Sequence, residues 1–390
     1  MSVTAAEGFV AAGVPCGVKV DPAALDLALV ATDDAVAVTA AAVFTVNRAP
    51  AAPVEVSRAH LAATNGRAAA VILNSGNANA ATGSDGRQHA ERTCALVGEA
   101  IGCAPEEVLV CSTGLIGIPL PVAAVASGVG PLAEARSSDS GAAAAAAEAI
   151  LTTDTVAKQV VVTRPGFTIG GMAKGAAMLA PDMATMLAVL TTDAAVGPAD
   201  LAAALSVAVA HSFNDLTVDG ATSTNDTVMV LASGRGEAPS GTVFRDALVE
   251  ACAGLAAQMA DDAEGATKVV TVHVRGAASP EDARRAARKV AESQLVKCSL
   301  YGGDPYWGRI VSELGSAGVT FDADLVSVAY GGVVVCAGGA AAAHDAAAVA
   351  AHMGERRLEI TADLGLGSGE ATLLTNDLTP GYIDENMRTS

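Results

Sequence analysis

GMAKGAAMLAPDMATMLAVL, residues 171–190, is the stretch on which the reading of this chain turns. Its first half is rich in Gly and Ala and carries one charge, Lys174, in a chain with only five other lysines. An ammonium among small apolar residues needs either solvent in a cleft or a counter-ion. A surface lysine on a Gly-rich loop is the plainer reading. Past Pro181 and Asp182, an apolar run of strand length opens at Thr185 and reaches Leu190. Pattern alone does not separate strand from helix in so short a run. A Thr hydroxyl is a poor nucleophile without an adjoining base, and cutting the chain just before it supplies one, the freed α-amine. Such an amine titrates at about 7.7–8, near working pH, and the small Ala184 leaves its carbonyl open to attack. The ordinary alternative is a buried strand threonine.

Outward from this stretch, apolar runs bounded by turn clusters predict strands over 25–30, 35–45, 68–73, 107–111 and 159–163. The alternation of Val270, Val272 and Val274 predicts another. Helical spacing covers 88–101, 137–150, 198–213, 244–259 and 281–293, with 119–131 read as a loop or broken helix. Two hairpins are expected near the C-terminus, 325–330 with 333–336 and 358–364 with 371–375, with a helix over 340–352 between them. Strands, hairpins and helices mixed in this way indicate an α+β fold.

Composition narrows the function. The 390 residues carry 23 basic and 42 acidic side chains, a formal charge of −19. That length suits one large domain or two ordinary ones with a sizeable core. A hydrophobic fraction of 51% excludes disorder, and 3% aromatics means a core built on Ala, Val and Leu. Nucleic-acid partners are argued against, because phosphate recognition needs clustered cations. The one basic cluster, Arg284, Arg285, Arg288 and Lys289, reads as a solvated helix face. No apolar stretch reaches the roughly 18 residues of a membrane span, and the opening MSVTAAEG is no secretory signal. Seven cysteines without paired spacing read as free thiols, so a cytoplasmic location is expected.

The familiar chemical motifs are missing: no P-loop, CxxC, HExxH or GxSxG occurs, and the six histidines are scattered singly. A metal site therefore has no local support. What remains is a set of polar clusters at element ends. In Ser112-Thr-Gly114, after a buried strand, a Thr hydroxyl and the following N–H can form an oxyanion hole. Thr152-Thr-Asp154 ends a helix, where capping duty is the plain reading. Glu264 lies in a turn where a carboxylate can meet a substrate amine or simply be solvated. Asp304-Pro-Tyr-Trp-Gly-Arg309 holds the only Trp, and the polar tail 386–390 would normally fray.

Taken in order, from about residue 8 to the end, these segments resemble the ornithine acetyltransferase family, also called glutamate N-acetyltransferases. The resemblance is carried by Asn74-Ser-Gly-Asn-Ala-Asn79, Cys111-Ser-Thr-Gly114, Thr152-Thr-Asp154, Lys174-Gly175 and Pro181-Asp-Met-Ala-Thr-Met-Leu187. It continues through Thr192-Asp193, Asp219-Gly220, Ser223-Thr-Asn-Asp-Thr227, Asp262-Ala-Glu-Gly265, Asp304-Pro305, Trp307-Gly-Arg309 and Asn386. Order and spacing make the match specific; no single piece does.

The resemblance implies an αββα-type sandwich, similar in layering to N-terminal nucleophile hydrolases but differently connected, with a smaller C-terminal lobe from about residue 280. It implies self-cleavage between Ala184 and Thr185, giving segments 1–184 and 185–390 that assemble as an (αβ)₂ heterotetramer. By motif match Thr185 is the nucleophile, and Thr113 and Gly114 form the oxyanion hole. Thr152, Lys174, Glu264, Asn386 and the terminal Ser390 match substrate-binding positions. The implied reaction moves acetyl from N-acetylornithine to glutamate through an acetyl-Thr185 ester, without metal or redox cofactor. Two departures stand out: Asp182 replaces a common Asn, and Tyr306 replaces the Asn of Asp-Pro-Asn-Trp.

Several readings stay open beside it. Acetyl-CoA can serve as a second acetyl donor, or the chain can be a paralogue serving a specialised pathway. Water attacking the same ester would make a hydrolase. A non-enzymatic binding protein would keep Thr185 as a buried strand residue in an uncut chain.

Overall fold

The computed structural model describes residues 2–179 and 186–387. These fall into two compact units, one comprising residues up to Asn214 with Ala221–Met259, the other Asp215–Gly220 with residues from Ala260 onward.

The first unit is built on two sheets. The four-stranded sheet runs Phe9–Val14, Leu27–Thr32, Ala70–Asn77, Val108–Leu115, antiparallel except for its last, parallel pair. Side chains alternate across a strand. Phe9, Ala11, Val30, Leu73 and Leu109 therefore face one core, while Leu27, Leu29, Ile72 and Val110 face another. The six-stranded sheet runs Arg67–Ala68, Val38–Phe44, Thr227–Ala232, Leu187–Thr192, Phe167–Lys174, Lys158–Arg164. Its Ala40, Met172, Val189, Met229 and Leu231 enter the first core, so the two sheets pack face to face. Helices Gly83–Ile101 and Val122–Glu134 cover the outer face of the smaller sheet through Ala90, Cys94, Val97, Val125 and Leu132. On the larger sheet's outer face, Pro198–Ala210 packs on Val38–Phe44. There too, Phe244 of the helix Gly241–Asp261 meets Phe167, with ring centroids 5.9 Å apart. The result is the αββα sandwich the resemblance implied.

The second unit holds a seven-stranded sheet: Leu216–Thr217, Gly369–Asn376, Val269–Ala277, Arg357–Asp363, Ser327–Tyr330, Val333–Ala337, Ala340–Ala341. The helix Pro280–Glu292 lays Ala283, Ala286, Ala287, Val290 and Ala291 on this sheet's core. That spacing is one helical stripe.

Three expectations need correction. Segment 119–131 is a regular helix, Val122–Glu134, because Val125, Val129 and Leu132 share the stripe facing the sheet while Pro131 sits in the last turn. The second C-terminal hairpin does not form: Val269–Ala277 inserts between its arms, parallel to Arg357–Asp363 and antiparallel to Gly369–Asn376. The helix expected over 340–352 starts at Ala346, where the Asp345 carboxylate accepts the N–H groups of Ala347 and Ala348. Residues Ala340–Ala341 pair instead as a short strand.

Candidate active site

Leu187–Thr192 lies inside the larger sheet, fully buried, with Phe167–Lys174 antiparallel on one side and Thr227–Ala232 parallel on the other. Register places both Lys174 and Thr227 opposite Leu187. The strand thus begins two residues after Thr185, flanked by Lys174 and by the polar loop that ends at Thr227. Thr185 itself, Ala184 and Ser390 lie outside the described residues.

Lys174 is 2% exposed and its ammonium faces Asp154, 3.5 Å from Oδ2. Asp154 also accepts Lys158 Nζ at 2.6 Å and the Gly175 N–H at 2.7 Å. Of the two readings the sequence left open for Lys174, the structure selects the paired one. Burial alone would push the Asp154 carboxyl up; the Lys174 and Lys158 ammonium groups outweigh it and hold the group at about 2. Thr152 is half-buried, and its N–H reaches Asp154 Oδ2 at 3.3 Å. The loop carrying it leaves the helix Ser140–Ala149, whose last carbonyl accepts Ser75 Oγ at 2.6 Å. Thr152, Asp154 and Lys174 are therefore one cluster.

Thr113 and Gly114 end the strand Val108–Leu115, where the pairing with Gly76 and Asn77 shifts register in a bulge. Bulges re-aim the backbone near functional sites. Gly114 has φ +130°, and a Cβ there would lie 2.3 Å from the Gly76 carbonyl carbon, so only glycine fits. Ser112 Oγ donates to Asn74 Oδ1 at 2.6 Å, and Asn74 Nδ2 donates to the Asn77 carbonyl at 2.8 Å.

Asn225 Nδ2 donates to the carbonyls of Ser112 at 2.9 Å and Ala78 at 2.6 Å. The neighbouring Asp226, wholly buried, accepts the Met186 N–H through Oδ1 at 2.8 Å. Its Oδ2 makes no close hydrogen bond among the described residues, and burial pushes this carboxyl well above the usual range despite the opposing pull of Met186, Ser223 and Lys174. Sequence reasoning included Asn225 and Asp226 in a matched segment but gave them no role, and it did the same with Asp154. The signal available was the density of hydrogen-bonding side chains in 223–227, all five short and polar.

In the second unit, Asn386 Nδ2 donates to Glu264 Oε2 at 2.7 Å and to the Tyr382 carbonyl at 2.9 Å. Two residues 122 positions apart are thereby joined. The helix Pro380–Asn386 that leads into the tail is docked: Thr379 Oγ1 donates to the Gly265 carbonyl at 2.7 Å, and Tyr382 OH to Asp219 at 3.1 Å. Gly265, at φ +62°, permits this approach, since a Cβ would lie 2.3 Å from Tyr382 N. Tyr306 is half-exposed, with the Arg309 guanidinium 5.6 Å from its ring centroid. Among the described residues no group of three His, Cys, Asp or Glu side chains is placed to hold a metal ion. No described helix is long and apolar enough to cross a membrane. A cavity of about 430 Å³ in the first unit lies at the other end of the larger sheet, beside Val38, Ala195, Ala232 and Arg235, and includes none of the site residues.

Fold and site together define a layered α+β enzyme whose buried polar groups converge on the start of one inner strand. The chain belongs to the ArgJ family, whose model matches residues 10–389. It is similar to the arginine biosynthesis bifunctional protein ArgJ of Thermobifida fusca, 46% identical over 387 residues covering 99% of each chain. The protein of that name from Streptomyces coelicolor is 45% identical, again over 99% of each chain. Among solved structures, it is similar to ornithine acetyltransferase complexed with ornithine from Mycobacterium tuberculosis. That match has 45% identity, 46% of this chain and 94% of that one, and a TM-score of 0.44.

Proposed function

We propose that this chain transfers acetyl from N-acetylornithine to glutamate in arginine biosynthesis, with Thr185 as nucleophile after self-cleavage at Ala184/Thr185. The observation that carries the reading is positional. The strand that follows Thr185 starts between Lys174 and Asp226, in a chain whose full-length relatives are named arginine biosynthesis proteins.

Thr185 Oγ attacks the acetyl carbonyl, and its proton passes to the residue's own α-amine. The oxyanion is held by the Thr113 hydroxyl and the Gly114 N–H. Collapse breaks the C–N bond, the α-amine returns its proton to the departing ornithine amine, and an acetyl-Thr185 ester remains. The α-amine of glutamate attacks that ester, loses its proton to the Thr185 α-amine, and leaves as N-acetylglutamate with the hydroxyl restored. Thr152, Lys174, Glu264, Asn386 and Ser390 bind the amino-acid substrates; Lys174, held by Asp154, supplies a fixed positive charge for a carboxylate. No step draws on a metal or redox cofactor. The cleaved segments stay associated as an (αβ)₂ heterotetramer in the cytoplasm. The relatives' description as bifunctional supports a second reaction, in which acetyl-CoA loads Thr185 and releases the CoA thiol.

Denatured intact mass before and after brief exposure to N-acetylornithine tests this. Two fragments meeting at Ala184/Thr185, with an acetyl group added to the Thr185 fragment, are expected. Thr185→Ala should remain one chain and be inactive. A Thr185→Ala protein that is cut and active would remove the mechanism. Free acetate in place of N-acetylglutamate would make the chain a hydrolase.

A further inference from the structure

We infer that Asn225 and Asp226 set the spacing between the nucleophile and its oxyanion donors, each gripping the chain neighbour of one partner. Asn225 holds the carbonyl of Ser112, the residue before Thr113, and Asp226 holds the N–H of Met186, the residue after Thr185. The inference rests on the assignment of Thr185 and of Thr113–Gly114 above.

Both grips are stiff. The Asn225 amide is fully committed, its two protons going to Ser112 and Ala78 while its Oδ1 accepts Thr224 Oγ1 at 2.6 Å. Met186 is held at both backbone groups, because its carbonyl also accepts the Thr227 N–H at 3.1 Å. The loop between is tied to the neighbouring strand: Thr45 donates its N–H to the Asp226 carbonyl at 2.9 Å and its hydroxyl to the Ser223 carbonyl at 2.8 Å. Asn225 and Asp226 are adjacent, so one peptide unit separates the grip on the nucleophile strand from the grip on the oxyanion strand.

The grip on Met186 needs an acceptor at 226 and not its charge. A neutral acceptor would hold the Met186 N–H as well, without burying a carboxyl whose second oxygen makes no close hydrogen bond among the described residues. The carboxyl stands one peptide unit along the chain from the α-amine that cleavage would release. A positioning role makes the transition state, not substrate affinity, sensitive to these residues, since a displacement of about 1 Å at a reacting pair costs roughly 10²-fold in rate.

The test compares Asn225→Ala, Asp226→Ala, the double variant and Asp226→Asn in the full chain, with Thr185→Ala alongside. Self-cleavage is read by intact mass, acetyl transfer by kcat and KM, and folding by thermal melting. The expected result is a fall in kcat of about 10–100-fold for each single Ala variant, with KM within about threefold. The double variant should lose little more than the worse single, because both act on one distance. Asp226→Asn keeps the acceptor for Met186 and should recover most of the rate, which keeps the test usable if Asp226→Ala fails to fold. The inference is overturned if Asn225→Ala changes kcat less than twofold, or if the two losses multiply. It is equally overturned if Asp226→Asn melts normally but is as inactive as Thr185→Ala, for then the carboxyl does chemistry and not spacing. Activity surviving in Thr185→Ala would instead sink the assignment of the nucleophile.

Discussion

Asp154 and Asp226 sit on opposite flanks of the strand Leu187–Thr192, both buried, and their surroundings drive them in opposite directions. Asp154 has two ammonium partners and two backbone donors, and stays ionised down to about 2. Asp226 has no ion-pair partner among the described residues: burial pushes its carboxyl up, against the Met186 N–H at Oδ1 and the weaker pull of Ser223. Lys174 pulls both toward the carboxylate. The difference is therefore set by contact: Asp154 is within ion-pair reach of Lys174, and Asp226 is paired with a peptide N–H. One flank of the strand is a charged cluster, and on the other burial works against the charge.

The harshest way to break this comparison is Asp154→Asn. It removes the carboxylate that Lys158 and Lys174 share in the core, and losing one member of a buried ion pair costs about 3–5 kcal/mol. Denaturant unfolding at pH 7 should show a loss of that size. A loss under about 1 kcal/mol would mean the two ammonium groups reach water, and the charged-cluster description would fall. The pH dependence has a definite sign. The Asp154 contribution is complete above its unfolded value of 3.8 and is lost as pH falls toward about 2.

Lys297 sharpens the comparison from the second unit, as a buried charge whose hydrogen-bond partners are neutral. Its Nζ donates to Thr375 Oγ1 at 2.6 Å and to the Asn376 carbonyl at 2.8 Å. Burial brings it down to about 8, against the pull of Asp219, Asp377 and Glu292. Between about 8 and 10.5 the unfolded chain holds a proton that the fold does not, so stability rises with pH across that window. The rise is of order 3 kcal/mol. The wild-type stability minus that of Lys297→Met, measured from pH 7.5 to 10.5, isolates it. A flat difference would show that the buried ammonium is as well served as in water.

Much of this was open to inspection before the structure, and the rest was hidden for reasons that can be named. Lys174 stands out because an ammonium among Gly and Ala needs a partner, yet the sequence does not say which. The partner is found through a hairpin: Lys158–Arg164 pairs with Phe167–Lys174 with Lys158 opposite Ala173, which returns Lys174 to the residues just before the first strand. The Gly170-Gly171 pair disguised that second strand as a loop. Gly170 is there because a Cβ would meet the Ser2 carbonyl at 1.9 Å. The pairing of Glu264 with Asn386 was equally invisible, since it depends on a tail helix docking on a glycine turn. The misplaced C-terminal hairpin has the same origin. Two strands joined by a Gly-rich turn look paired until a third, Val269–Ala277, is seen to lie between them.

The finest test is Asp226→Asn made in the Thr185→Ala background, which the proposed mechanism leaves as one chain. A carboxyl whose folded value lies above its unfolded 3.8 takes up a proton on folding, so it costs stability as pH rises past that point. Asn keeps the oxygen that accepts the Met186 N–H and has no proton to take up. The two chains should be nearly equal at pH 3.5, and the Asn variant should then gain by up to about 1.4 kcal/mol per pH unit. The sign is opposite to that of Asp154→Asn, which loses stability as pH rises from the acid side. If both substitutions lose stability toward neutral pH, Asp226 is an ionised carboxylate served by a partner. The two flanks of the strand would then be alike, and the grip on Met186 would be electrostatic like the hold on Lys174. If the signs differ, the neutral acceptor is enough to fold the protein. The presence of an acid at 226 would then have to be explained by the proposed release of the Thr185 α-amine.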